Sequence, residues 1–164
     1  MVGGLRSTAL GLFLGLSFAA GGKAQIAESP VRIVVMNDQS GAYADGSGKG
    51  SVLTAQMAVD DFGKKVNGVP VEVIGIDHQN KADIAAAQTR KAIEVDKVAA
   101  FFDIANTSAS LAVQEIVRQN NKVVVHVGSA SADLYGKACS PTGAMWLYDT
   151  YSLAKGLAEA LYDD

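Results

Sequence analysis

Cysteine, histidine and tryptophan are nearly missing from this sequence: 164 residues hold one Cys, two His and one Trp. Cys139 has no second cysteine with which to close an internal disulfide, so a cross-linked scaffold is excluded even in an oxidising compartment. It is expected to be a small buried apolar residue, with a free thiol or half of a bridge to a partner outside these residues as the alternatives. His78 and His126 have no Cys or His at ligand spacing, which leaves no metal motif. Runs of like charge are missing too. With 14 Lys and Arg against 17 Asp and Glu, scattered, the formal charge is −3, which argues against a surface for nucleic acid or anionic membrane and favours a small-molecule partner. The length suits one ordinary globular domain with an adequate core and excludes a second full one.

Long apolar runs are absent except near the amino terminus. Arg6 supplies a positive start, and Ala9 to Ala20 is an apolar run containing Leu10, Leu12, Phe13, Leu14, Leu16 and Phe18, followed by small residues. Spanning a bilayer takes about 20 apolar residues, so the run is short for a membrane anchor and reads as a secretory signal. Residues 1–24 are therefore expected to be removed, by cleavage after Ala24 or near Ala19 and Ala20. Their loss takes away Arg6 and Lys23 and no acid, moving the formal charge from −3 to −5. No Cys lies near the cleavage region to carry a lipid.

The remaining chain alternates two periods. Val31 to Met36 is a continuous β-branched and apolar run bounded by Pro30 and Asn37, which predicts a strand buried on both faces. From Gly48 to Lys65 the period changes, with Val52, Ala55, Val59 and Phe62 on one helical face, closed by Gly68-Val69-Pro70. Strands are predicted again at Val71 to Ile76, Val98 to Phe102, Val123 to Val127 and Ala144 to Tyr148. Helical stripes fall at Ala82, Ala86, Thr89 and Ile93, at Ala109, Val113, Ile116 and Asn120, and at Leu153, Ala154, Leu157, Ala158 and Leu161. This alternation predicts a doubly wound α/β domain, a parallel sheet covered on both faces. Ligands of such domains bind beyond the carboxyl ends of the strands. The loops to examine are Asn37 to Gly50, Asp77 to Lys81, Asp103 to Ser108 and Gly128 to Gly143.

The glycine-rich stretch Gly41 to Ser51 fails as a phosphate loop, because Lys49 is followed by Gly50 and Tyr43 occupies the first required glycine. It reads as a loop carrying Tyr43 toward the ligand side, or as a solvated loop. Asp77-His78 is not an acid-base pair, since neighbours on an extended chain point opposite ways. His126, inside an apolar run, is expected to be buried and hydrogen-bonded. Gly128-Ser129-Ala130-Ser131 is not the G-x-S-x-G elbow of a hydrolase. More informative are two polar rims. Asn106-Thr107-Ser108 opens a helix at Ala109, so one hydroxyl is expected to cap it while another, with free N–H groups, faces outward as a carboxylate cradle; a plain cap is the bland alternative. Gly128 to Ser131 adds hydroxyls and lets the backbone approach closely.

In order and spacing, Val31 to Gly41, Ala55 to Phe62, Gly68 to Val73 with Asp77, Ala82 to Ile93, Asn106-Thr107-Ser108 and Ser129 to Gly136 resemble the type I periplasmic solute-binding proteins of the branched-chain amino-acid group. The resemblance implies a non-enzymatic, cofactor-free receptor in the periplasm that delivers a small carboxylate solute to the permease of an ABC importer. The solute would be a branched-chain or other apolar amino acid, or an aromatic or aliphatic acid. A flavodoxin-like or hydrolytic α/β enzyme is the rival. By position, Thr107 and Ser108 take the ligand-gripping role at one rim and Gly128 backbone at the other. The family's hydroxyl there falls on Ala130, with Ser129 or Ser131 as substitutes, and Tyr43 and Tyr148 would be aromatic walls. The family has two lobes in a chain roughly twice this long. Residues 25–146 are thus expected to form the first lobe, and residues 147–164 a hinge and the first helix of a second, truncated lobe.

Overall fold

The computed structural model describes residues 30–162, so the expected signal at 1–24 lies outside the described residues. The elements are β1 (Val31–Asn37), α1 (Gly48–Asp61), β2 (Lys65–Val66), β3 (Val69–Asp77), α2 (Ala82–Glu94), β4 (Ala100–Asp103), α3 (Thr107–Gln119), β5 (Val123–His126), β6 (Gly143–Met145) and α4 (Thr150–Tyr162). One sheet runs in the order β2-β3-β1-β4-β5-β6. Every pairing is parallel except β2 with β3. The chain forms the doubly wound α/β lobe that the alternation of periods predicts.

Side-chain alternation along the strands sorts the two faces. Val34, Met36, Phe101 and Val124 are fully buried with Ala85 and Ala92 of α2 and Ala109, Val113 and Val117 of α3, which makes the core. Their neighbours Ile33, Val35 and Phe102 face the other way, toward α1. There Ala55 and Val59 of α1 border an apolar groove of about 770 Å³, so the described residues cover this face only in part. Helices lie on both faces, as expected, with this groove left beside α1. Helix α1 lies close over β3 because position 75 is glycine: a Cβ there would stand 3.0 Å from the Val52 side chain.

Several boundaries depart from the sequence reading. Helix α1 ends at Asp61 rather than Lys65, since Gly63 and Lys64 take φ of 97° and 64°, outside helical space. Lys65-Val66 then pairs antiparallel with Val69-Pro70. The two residues between, Asn67 and Gly68, have φ of 49° and 84°, the left-handed pair of a tight hairpin turn. Phe62, expected on the packed face, is left 71% exposed. The last strand stops at Met145, and Trp146 and Tyr148 leave the sheet exposed. Cys139 is exposed, not buried: it closes a turn in which its N–H bonds the Gly136 carbonyl, and the side chain projects outward. Helix α4 forms where its stripe predicts, with no residue buried.

Candidate functional site

The chain passes from β1 to β3 on one side, then crosses to β4 and β5 on the other, so the sheet order reverses between β1 and β4. At such a reversal the crossovers leave to opposite faces and the strand ends part to form a crevice. The last residues of these strands, Asn37 and Asp103, are both buried. The Asn37 amide nitrogen donates to Asp103 Oδ2 at 2.9 Å and to the Gly48 carbonyl at 2.7 Å, tying β1, β4 and the start of α1 together. Backbone φ is positive at Asp103 (76°) and at Ile104 (66°), a conformation that β-branched residues adopt only when held. The holding groups are visible. Ile104 N–H donates to the Met36 carbonyl at 2.7 Å, and the hydroxyls of Ser110 and Ser129 reach the Ile104 carbonyl at 3.0 and 2.9 Å.

Above this corner lies a cleft of about 350 Å³ lined by Tyr43, Ser47, Asp103, Gly128, Leu147 and Tyr148, among others. Tyr43 and Tyr148 flank it, about half exposed or more (48% and 60%). Gly128 is there because nothing larger fits: a Cβ would lie 2.7 Å from both the Ala105 Cα and Asp103 Oδ1. Tyr43 is placed by Asp38, whose carboxylate accepts from the N–H groups of Gly41 at 2.8 Å and Tyr43 at 3.0 Å. The loop leaving β1 is also fastened to β3, since Asp77 accepts from the Ser40 hydroxyl at 2.6 Å and from the amides of Gln39 and Gln79. Burial pushes the Asp77 carboxyl up, but these three donors outweigh it and hold it below the usual carboxylate range.

Of the residues singled out from sequence, Tyr43, Gly128 and Tyr148 meet in the cleft, while Thr107, Ser108, Ser129 and Ser131 do not line it. Thr107 and Ser108 are the exposed first residues of α3. The helix cap is the Asn106 side chain, which accepts from Ala109 N–H at 2.9 Å; the hydroxyl expected there is not the cap, because extended Asn106 already reaches that N–H. Ser108 donates to the same Asn106 oxygen at 2.7 Å, and Thr107 makes no side-chain hydrogen bond among the described residues. Ser129 is buried beneath the rim on Ile104 and Ser110. Ser131 accepts from Asp133 N–H and caps a short 3-10 turn over Ala132–Leu134.

Asn37 and Asp103 were not among the expected site residues. Their signal is a polar side chain closing each strand: β1 and β3 end in register at Asn37 and Asp77, and β4 ends at Asp103, opposite Met36. The two histidines serve the frame. His126 Nε2 lies 2.9 Å from Gln114 Oε1, and the Gln114 amide donates to the Leu134 and Ala138 carbonyls. Burial pushes the His126 imidazole down to about 4. His78 is fully buried, and burial lowers it too, against the opposing charges of Asp38, Asp77 and Asp103. Among the described residues no three His, Cys, Asp or Glu are grouped to hold a metal ion.

This architecture has counterparts. The family described as "Periplasmic binding protein" matches residues 30–164. A periplasmic binding protein from Burkholderia mallei superposes with a TM-score of 0.80 at 36% identity, over 84% of this chain and 36% of that one. A branched chain amino acid ABC transporter periplasmic ligand-binding protein from Burkholderia xenovorans LB400 gives 0.76 at 34% identity, over 81% of this chain and 36% of that one. A solute binding protein of an ABC transporter from R. palustris, in complex with 4-hydroxybenzoate, shares the fold at 21% identity, with a TM-score of 0.69 over 80% of this chain and 36% of its own. No curated protein matches the chain. The chain spans about a third of the length of these solved relatives, and over that span both sequence and fold agree: it belongs to the type I periplasmic binding protein family.

Proposed function

We propose that this chain supplies the first lobe of the solute-binding component of an ABC importer, working in the periplasm after removal of residues 1–24. The observation that carries the reading is the cleft at the sheet reversal, lined by Tyr43, Gly128 and Tyr148. A small, partly apolar solute suits such walls. Its carboxylate would sit at the start of α3, where the exposed Thr107 and Ser108 and the helix's free N–H groups favour an anion. The chain would act as a receptor, not an enzyme, and would hand the solute to an inner-membrane permease.

Because the chain spans 36% of each Burkholderia relative, the proposal assigns it one wall of a two-walled site, with residues 147–164 leading toward the second. One wall binds weakly. Heteronuclear NMR of the chain during titration with leucine, phenylalanine, benzoate and 4-hydroxybenzoate tests the reading. Millimolar, saturable shifts at Tyr43, Gly128 and Tyr148 are expected with at least one of these solutes. Their absence with all four, or turnover of a solute, would end the proposal.

A further inference from the structure

One face of the sheet is short of a helix. Six strands about 4.8 Å apart make a face roughly 25 Å wide, and one helix covers about 10 Å of it. The face under α2 and α3 is filled, whereas among the described helices α1 alone packs on the other, over β3 and β1. The slot beside α1 is the groove of about 770 Å³, floored by Ile33, Val35 and Phe102 and walled by Ala55, Val59 and Phe62. Apart from Asp45 and Asp103 its lining holds no charged residue. An open apolar slot of this size marks a surface that something covers.

A helix of the right kind stands uncovered in the same chain. In α4, Leu153, Leu157 and Leu161 form one stripe with Ala154 and Ala158; the three leucines are 53 to 71% exposed, and no residue of the helix is buried. Lys155 and Glu159 pair with each other on the far side of the helix, which leaves the stripe without charge. In its own copy α4 does not reach the groove: the Thr150 N–H ties its start to the Ala130 carbonyl, and none of its residues lines the slot. We infer that two copies pair reciprocally, the α4 stripe of each lying in the groove beside α1 of the other. The lengths agree, since α1 has 14 residues and α4 has 13, about 21 and 20 Å of helix. A helix laid along such a slot covers on the order of 400 Å² on each surface, so two insertions bury about 1,600 Å², the area of a standard stable interface. Uncharged apolar surface meets its like, as at the centre of such interfaces. Reciprocal insertion closes on a twofold axis, which predicts a dimer and no larger species. The inference does not rest on solute binding.

The form without residues 1–24 keeps every described element and is the one to test. Sedimentation equilibrium at about 100 µM should show a dimer. Phe62→Glu in the groove wall and Leu157→Glu on α4 alter exposed side chains, so both variants should fold, which circular dichroism checks. Each should weaken the dimer at least tenfold. An equal mixture of the two variants should associate more tightly than either alone, because one of its two contacts between α4 and groove is intact. Pairing of α4 with α4, or of groove with groove, gives no such gain. A monomer, a dimer indifferent to either substitution, a mixture no tighter than its parts, or a species larger than two copies overturns the inference. So does pairing seen only when residues 1–24 are present, which would give the groove to the apolar run from Ala9 to Ala20 instead.

Discussion

Asn37 and Asp103 close neighbouring parallel strands at the point where the sheet reverses, and the amide of one holds the carboxylate of the other at 2.9 Å. The same amide nitrogen reaches the Gly48 carbonyl, so a single side chain joins two strands to a helix. Replacing it with a group that cannot donate leaves two buried acceptors unsatisfied, one of them charged. Asn37→Ala should therefore destabilise the fold by about 2 to 3 kcal/mol. Urea denaturation measures this directly, and a loss below about 0.5 kcal/mol would show that water replaces the amide and that the corner is not sealed.

Glycines at 128 and 50 should respond oppositely to alanine. At 128 the added Cβ meets the Ala105 backbone and the Asp103 carboxylate at 2.7 Å, and backbone cannot step aside as a side chain can. Gly128→Ala should cost about 1 to 3 kcal/mol and shift the Asp103 and Ala105 resonances. Gly50 lies inside α1 with nothing within 4 Å of its Cβ position. There alanine should stabilise by up to about 1 kcal/mol, since glycine is a poor helix former. Equal effects at the two sites would contradict the packing described.

Much of this fold could be read from the chain because it is written in apolar periodicity. Val31 to Met36 and Val123 to Val127 announce buried strands, and the helices between them fix a parallel sheet. What stayed hidden depended on turn chemistry and on contacts between distant residues. Asn67-Gly68 is a tight-turn dipeptide, but a two-residue strand is too short to show a period, so the hairpin was absorbed into the preceding helix. The cleft was half visible. Tyr43, Gly128 and Tyr148 sit on loops at strand ends, where topology says to look. Asp103 sits at a strand end too, yet its meaning comes from Asn37, 66 residues earlier, and no local pattern links the two.

Hydroxyls at the two rims divide between frame and surface. Ser129 is buried on the Ile104 carbonyl at 2.9 Å and beside Ser110 at 2.8 Å, and so helps hold the left-handed backbone at Ile104. Ser129→Ala should lower stability by about 1 kcal/mol and leave solute affinity unchanged. Thr107 is exposed and carries no internal bond among the described residues, so Thr107→Ala should change stability by less than about 0.5 kcal/mol. If its hydroxyl meets the solute's carboxylate, the same change weakens binding by about 1 to 3 kcal/mol. Paired denaturation and titration of both variants decide the division; a stability loss at Thr107 with none at Ser129 would reverse it.

Stability should fall in mild acid, and His126 gives the reason. Its imidazole is fully buried and titrates near 4 in the folded chain, against an ordinary value of 6.5 when unfolded. As pH drops below about 6.5 the unfolded state takes up a proton that the folded state refuses, so the balance shifts toward unfolding until the folded imidazole also protonates near 4. His78, lowered by burial as well, pushes the same way. The carboxylates held below their ordinary range, Asp77, Glu115 and Asp149, act at lower pH and leave this window to the histidines. Between pH 7 and pH 4.5 the wild type should lose on the order of 2 kcal/mol through His126. His126→Gln removes the titrating ring and should flatten the pH dependence, although the variant starts less stable. Denaturation curves for both chains across this range measure the difference in slope, and parallel profiles would place the acid sensitivity elsewhere in the fold.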